Sequence, residues 1–214
     1  MSTRKGDREA IGAQRCQPDL WPDVARVEAS LAPPPPAGES PALVVVSGVP
    51  GSGKSYFCRR LMHRRPLVRL ESDALRQLLF PSPTYSAAES HHLFAVIHVV
   101  LERLLRRGHS VVLDATNLRE THRRHLYAIA QATEARLVLV RTRAPAALVR
   151  QRLLARSLAA DPNDHSQADI QVYQRLRRQV QAIHRPHLVV DTAQDVEPFI
   201  NEVLRRMGEA QGPR

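Results

Sequence analysis

An α/β fold on a parallel β-sheet is what this sequence predicts, and three observations predict it. Short apolar runs recur from Ala42 onward, each the length of a strand buried on both faces. Longer stretches between them place their apolar residues at helical spacing. The first apolar run leads straight into a glycine-rich turn and then a helical stretch. Runs alternating in this way imply right-handed crossovers, with helices on both faces of the sheet.

The elements follow in order. ALVVVSG at 42–48 is wholly apolar until its end and is the first strand. A helix at about 53–65 stops where Arg64-Arg65 meet Pro66, which cannot continue it. PLVRLES at 66–72 is the second strand, and a short helix begins near Ala74. FPSPTYS at 80–86 has the proline and serine content of a loop. From Ala87 to Arg107, Leu93, Val96, Ile97, Val100, Leu101, Leu104 and Leu105 share one helical face, ended by Gly108. SVVLDATN at 110–117 is a third strand with a polar tip, followed by a helix at about 119–133. ARLVLVRT at 135–142 is the fourth strand. APAALVRQRLLARSL at 144–158 is helical, AADPNDHS at 159–166 is a polar loop, and 168–184 is helical again. HLVVDTA at 187–193 is the fifth strand and 195–207 the last helix.

The first 40 residues read as an appendage. LAPPPPAGESP at 31–41 is a stiff polyproline-type linker that cannot join a sheet. Before it, PDLWPDVARVEASLA either forms one short amphipathic helix with Trp21 docked or stays flexible. The predicted division is a flexible N-terminal tail with its Pro-rich linker over 1–40, a folded domain over 41–209 and a C-terminal tail over 210–214.

With 214 residues, the chain can bury one substantial core. Cys16 and Cys58 lie far apart in no ligand spacing, which excludes a disulfide framework and a zinc site. No apolar run approaches the roughly 18 residues of a membrane helix, and the N-terminus lacks the apolar core of a secretion signal. The cytoplasm is the expected location and no membrane partner is expected. The formal charge of +10 raises a nucleic-acid partner. Several arginine pairs, however, sit at predicted helix C-termini, where cations complement the helix dipole.

The chemistry begins at Gly48-Val-Pro50-Gly51-Ser52-Gly53-Lys54-Ser55, which fits G-x-x-x-x-G-K-[ST]. Glycines let the backbone curl so that successive N–H groups point inward at phosphate oxygens. The helix that follows offers its unsatisfied N–H groups to the same anion. Lys54 supplies a point charge for the outer phosphates, and the Ser55 hydroxyl suits Mg²⁺. Lys54 is also the only lysine after residue 5 in a chain that otherwise uses arginine. A planar guanidinium would not fit a ring of amides.

Functional groups gather at the carboxyl ends of parallel strands. Asp73, just after the second strand, is placed to accept the proton of an attacking hydroxyl. Arg76, one helical turn on, faces the same cleft and can hold an acceptor. Ser72 or Asp73 can equally cap the short helix. Asp114 ends the third strand after three apolar residues, as a Walker-B carboxylate that orients Mg²⁺ does. Asn117 at the rim fixes either the acceptor or the turn. Arg152 and Arg156 are four apart on one face beside the polar loop 159–166, where arginines of a closing lid can neutralise a moving phosphoryl group. His91, His92 and His98 on one helix, and His122 and His125 on another, lack the further ligands of a metal site. They are expected to pack or face solvent.

GVPGSGKS, ESDALR, DATN and the RxxxR of Arg152 and Arg156 occur in the order seen in the polynucleotide-kinase-like P-loop kinases, which this chain resembles over about 42–207. It is more distantly similar to zeta toxins and gluconate kinase. The resemblance implies a P-loop NTPase sheet in the order 2-3-1-4-5 with a helical lid after the fourth strand. It also implies an aspartate base at Asp73, an acceptor-binding arginine at Arg76 and lid arginines at Arg152 or Arg156.

The expected function is an ATP- and Mg²⁺-dependent kinase acting on a hydroxyl. A small polar acceptor is favoured over a 5′-hydroxyl polynucleotide, because nucleic-acid grooves use aromatic platforms and aromatics make up only 4% of the chain. The alternatives are a nucleotide-gated ATP-binding module without phosphotransfer and a zeta-toxin-like kinase.

Overall fold

The computed structural model describes residues 20–158 and 170–208. Strands β1 (Ala42–Ser47), β2 (Val68–Glu71), β3 (Val111–Asp114), β4 (Arg136–Arg143) and β5 (Leu188–Asp191) form one parallel sheet in the order β2-β3-β1-β4-β5. The register pairs Val46 with Asp114 and with Val140, so β1 and β3 end within a residue of each other, while β4 runs on to Arg143 beside β5. Helices α1 (Trp21–Ser30), α2 (Lys54–Arg64), α3 (Ser72–Leu79), α4 (Ala87–Arg106), α5 (Glu120–Ala132), α6 (Ala146–Leu158), α7 (Ile170–Arg177) and α8 (Glu197–Gly208) complete the described chain.

The unbroken apolar runs of the strands divide by the two-residue period of the pleat. Leu43 and Val45 of β1, Val111 and Leu113 of β3 and Leu139 of β4 face one core, built with α1, α3, α4 and α5. Ala42, Val44 and Val46, with Val112, Val138 and Val140, face a second core beneath α2 and α8. Each such side chain contributes about 1.5–3 kcal/mol by leaving water, and both faces must be covered for the strands to be apolar throughout. A third cluster, Val149 and Leu153 of α6 with Tyr173 of α7, packs against Val49 of the glycine turn.

Three expectations are corrected. Residues 20–31 are not a flexible tail: α1 buries Leu20, Val24 and Val27 in the first core. Glu28 pairs with Arg103 of α4 and with Arg107 just past its end, and Asp23 pairs with His92. The proline segment lies against the turn between α4 and β3, its Pro35 carbonyl 2.9 Å from His109 Nδ1 and its Gly38 N–H donating to the Gly108 carbonyl at 2.9 Å. The helix expected near Ala74 starts at Ser72.

The helix expected over 168–184 ends at Arg177. Beyond it the backbone is taken up by Arg123, whose buried guanidinium donates to the carbonyls of Gln181 at 3.1 Å and Ala182 at 2.6 Å. Those carbonyls are therefore not available to a helix. The polar loop 159–166, Cys16 and the tail 210–214 lie outside the described residues. No helix among the described residues is long and apolar enough to cross a membrane.

Much of the arginine charge is paired locally. Arg60 and Arg64 reach Glu197, Arg106 reaches Glu102, and Arg205 and Arg206 share Glu202.

Candidate functional site

The turn after β1 is shaped by close approaches that only glycine permits. Gly51 and Gly53 hold φ of 76° and 86°, a region that side chains disfavour. A Cβ at Gly48 would lie 2.4 Å from Thr142 Oγ1, and one at Gly53 would lie 2.7 Å from Thr192 Oγ1. Threonines ending β4 and β5 thus support the loop from beneath. Gly53 is the N-cap of α2 and brings no side chain to it, so the first-turn N–H groups are left for an anion. Lys54 Nζ donates to the Val49 carbonyl at 3.3 Å, folded back over the loop.

A cavity of about 1320 Å³ runs from this loop across the ends of β2 and β3 to the helices α4 and α5. Pro50, Gly51, Gly53, Lys54, Ser55, Asp73, Arg76, Asp114, Arg152 and Arg156 all line it. Lys54 and Asp73 therefore share one cleft. Asp73 lies in the first turn of α3, whose N-cap is Glu71, so it is not the capping residue. Its carboxylate makes no hydrogen bond among the described residues. It is close enough to Tyr85 that burial, and then the Asp73 charge, raise the phenol above its ordinary value.

Other predicted residues are placed differently. Gly48 and Ser52 lie behind the cavity wall, with Ser52 Oγ and Thr142 Oγ1 2.8 Å apart in a buried hydrogen bond. Asn117 is also buried away from the cavity. With φ of 45°, it donates through Nδ2 to the Val46 carbonyl at 2.9 Å, while its own carbonyl accepts from Arg123 at 2.7 Å. It is a turn brace rather than an acceptor contact.

Arg76 lines the cavity but is tied to Glu89, donates to Ser90 Oγ at 3.2 Å and stacks over Tyr85 at 4.7 Å. Burial pushes the Glu89 carboxyl up, yet hydrogen bonds from Arg76 and Thr84 outweigh it and hold it at about 2. Arg152 is engaged as well. It donates to the Gly51 carbonyl at 3.3 Å, Thr192 Oγ1 at 2.8 Å and the Thr192 carbonyl at 2.9 Å. In this arrangement it positions the loop. Arg156, one turn on, lines the cavity too.

Sequence reasoning passed over three residues that hold the site. Arg69 of β2 donates to Asp114 Oδ2 at 2.5 Å and pairs with Glu71 at 3.1 Å, and both acids line the cavity. Thr192 Oγ1 donates to the Ser52 carbonyl at 2.9 Å. Arg123 clamps the Asn117 turn. A basic residue inside an apolar strand was the available signal for Arg69. Nothing in the sequence separates Arg123 from its exposed neighbour Arg124. The histidines pack or face solvent as expected, and four of them, His91, His98, His122 and His125, do so along the cavity at its α4–α5 end.

The model of the AAA-domain family matches residues 43–183. No curated protein matches the chain in sequence. Among solved structures, Kti12 of Chaetomium thermophilum in complex with ADP-AlF3 is similar with a TM-score of 0.64 at 16% identity, over 78% of this chain and 100% of that one. The APS kinase CysC of Mycobacterium tuberculosis, in complex with AMPPNP and APS, gives 0.60 at 19% identity, over 81% and 100%. A gluconokinase from Sinorhizobium meliloti gives 0.54 at 22% identity, over 78% and 91%. Likeness at these identities establishes the P-loop fold.

Proposed function

The chain belongs to the AAA-domain family, and from that premise we propose that it is an ATP- and Mg²⁺-dependent kinase transferring the γ-phosphoryl group to a hydroxyl, within the polynucleotide-kinase-like group. The observation that carries the reading is that Lys54 and the Asp73 carboxylate, which makes no hydrogen bond among the described residues, line one cavity. A triphosphate fits the uncapped start of α2 and the glycine cradle. A divalent cation fits the Ser55 hydroxyl and the Asp114 carboxylate, which line the same cavity, and when bound it would draw charge off the phosphate oxygens.

The chain's own residues account for the rest. Asp73 accepts the proton as the acceptor oxygen bonds to the γ-phosphorus and the bond to the bridging oxygen of ADP breaks. Lys54 holds the outer phosphates. Arg156 stabilises charge on the transferring group, with Arg152 fixing the loop beside it. The acceptor is a small polar molecule or a 5′-hydroxyl nucleotide or polynucleotide, and the two solved likenesses whose names are kinases of small molecules support the first.

Asp73→Asn keeps the size of the side chain and removes the base. Transfer from labelled ATP to a pool of hydroxyl compounds should fall by about 10²–10⁴-fold, with ATP binding retained. Equal transfer by the variant would sink the reading. One observation favours the alternative of a nucleotide-gated module without phosphotransfer: Arg76, expected to hold the acceptor, is committed to Glu89 and Ser90. In that case neither protein would transfer phosphate, although both would bind ATP.

A further inference from the structure

The far end of the cavity from the phosphate loop is walled by rings from two facing helices. His91, Phe94 and His98 come from α4, and His122 and His125 from α5. His98 and His125 are stacked, with centroids 5.6 Å apart and planes 12° apart. Phe94 lies 6.0 Å from His122 and 6.3 Å from His98. A third ring inserted between two others needs about 7 Å, twice the contact distance of two carbons. The gaps between these rings are therefore too narrow to sandwich a planar ligand, and what remains for recognition is their imidazole nitrogens.

Those nitrogens are short of partners. His98 is half-buried and makes no hydrogen bond among the described residues, and neither does His122. His125 Nδ1 lies 3.0 Å from the Thr121 carbonyl, which leaves Nε2 for a ligand. The charged groups around them are of one sign. Arg119 stands beside them, its guanidinium donating to the neutral Gln179 at 3.0 Å, and Arg175 of α7 lines the same cavity. Arg76 of α3 is neutralised by Glu89. Among the described residues the carboxylates lining the cavity are Glu71, Asp73 and Asp114, all at the strand ends.

We propose that this imidazole wall, with Arg119, is an anion subsite, and that the molecule taken there carries a phosphate, sulfate or carboxylate group in addition to the hydroxyl presented to Asp73. Its identification as the acceptor's subsite rests on the kinase reading; its affinity for an anion does not. Burial, then the neighbouring His125, His122 and His91, hold the His98 imidazole down at about 4, and burial followed by Arg119 lowers His122. An anion among the rings reverses the unfavourable charge. Imidazole nitrogens that could only accept then become donors.

The sign follows by linkage. A ligand that raises an imidazole's pKa by one unit is bound about tenfold more tightly by the protonated form. If the bound complex restores His98 to its ordinary 6.5, affinity rises as pH falls from 6.5 towards 4 and is flat above.

The test uses the full chain, ¹³C-labelled at histidine, with its phosphate loop saturated by AMPPNP. Titration with inorganic sulfate should shift the His98 and His125 ring signals saturably and raise the His98 pKa by about one unit or more. In transfer assays, gluconate should be preferred to glucose and adenosine 3′-phosphate to adenosine. His98→Gln should raise KM for the charged acceptor about tenfold more than it lowers kcat. Histidine signals that ignore sulfate overturn the proposal, and so does equal use of charged and neutral acceptors. If sulfate shifts the rings but no compound is phosphorylated, the kinase reading falls and the anion site stands. If neutral acceptors are phosphorylated while the rings do not respond, the kinase reading stands and the anion site falls.

Discussion

Arg69 shows how a single side chain governs the site. Its guanidinium lies between Glu71 and Asp114, two carboxylates at paired positions of adjacent strands. With its charge balanced, Asp114 can stay ionised at the cavity-lining end of an otherwise apolar strand. Arg69→Met leaves both acids uncompensated in a largely buried place, and we expect a loss of about 2–3 kcal/mol in urea unfolding. An unchanged midpoint would show that the pair contributes nothing. Residues with a backbone purpose were readable beforehand: Gly48, Gly51 and Gly53 stand where packing and φ demand them. Residues whose partners lie far along the chain were not. Asn117 was open between an acceptor contact and the turn, and Arg152 was read as a lid arginine; the structure commits both to protein carbonyls, because sequence position does not reveal which acceptor lies nearest.

Among the elements, α1 departs most from expectation. Its two buried valines read equally well as a short floppy amphipathic stretch. What decides is α4, which with Arg107 just past its end presents Arg103, Arg107 and His92 to the acids of α1. Such exposed pairs contribute little each, so most of the docking energy comes from Val24, Val27 and Leu20. Val27→Ala should cost about 2 kcal/mol, a fall of about 4–8 °C in Tm for a chain of this size. A Tm unmoved by that change would return α1 to the status of a tail. The strands and α4 were readable because apolar period and length agree there. The end of α7 was not, because it is imposed by Arg123 on another helix.

In the molecule as a whole, the order β2-β3-β1-β4-β5 brings the first strand to the middle and sets the glycine turn between the ends of β3 and β4. A loop poised in this way should be stabilised by its ligand. With ATP and Mg²⁺ at a hundredfold over Kd, unfolding free energy should rise by about 2.7 kcal/mol. A thermal shift assay reads this as about 5–10 °C. Lys54→Ala should lose most of the shift, and a full shift in that variant would remove Lys54 from phosphate binding. The parallel sheet was readable because strand alternation and the glycine turn point to one architecture, and its order was what the family resemblance implied. The far end of the cleft was not, since α4 and α5 carry histidines at positions that a helical pattern treats as ordinary surface.

The bond from Thr192 to the Ser52 carbonyl spans 140 positions of the chain. During synthesis the nucleotide loop emerges long before the threonine that props it up, so the pocket is finished only as the closing strand slots into place. A ribosome-stalled fragment lacking that strand would carry the whole glycine signature and still grip nucleotide poorly.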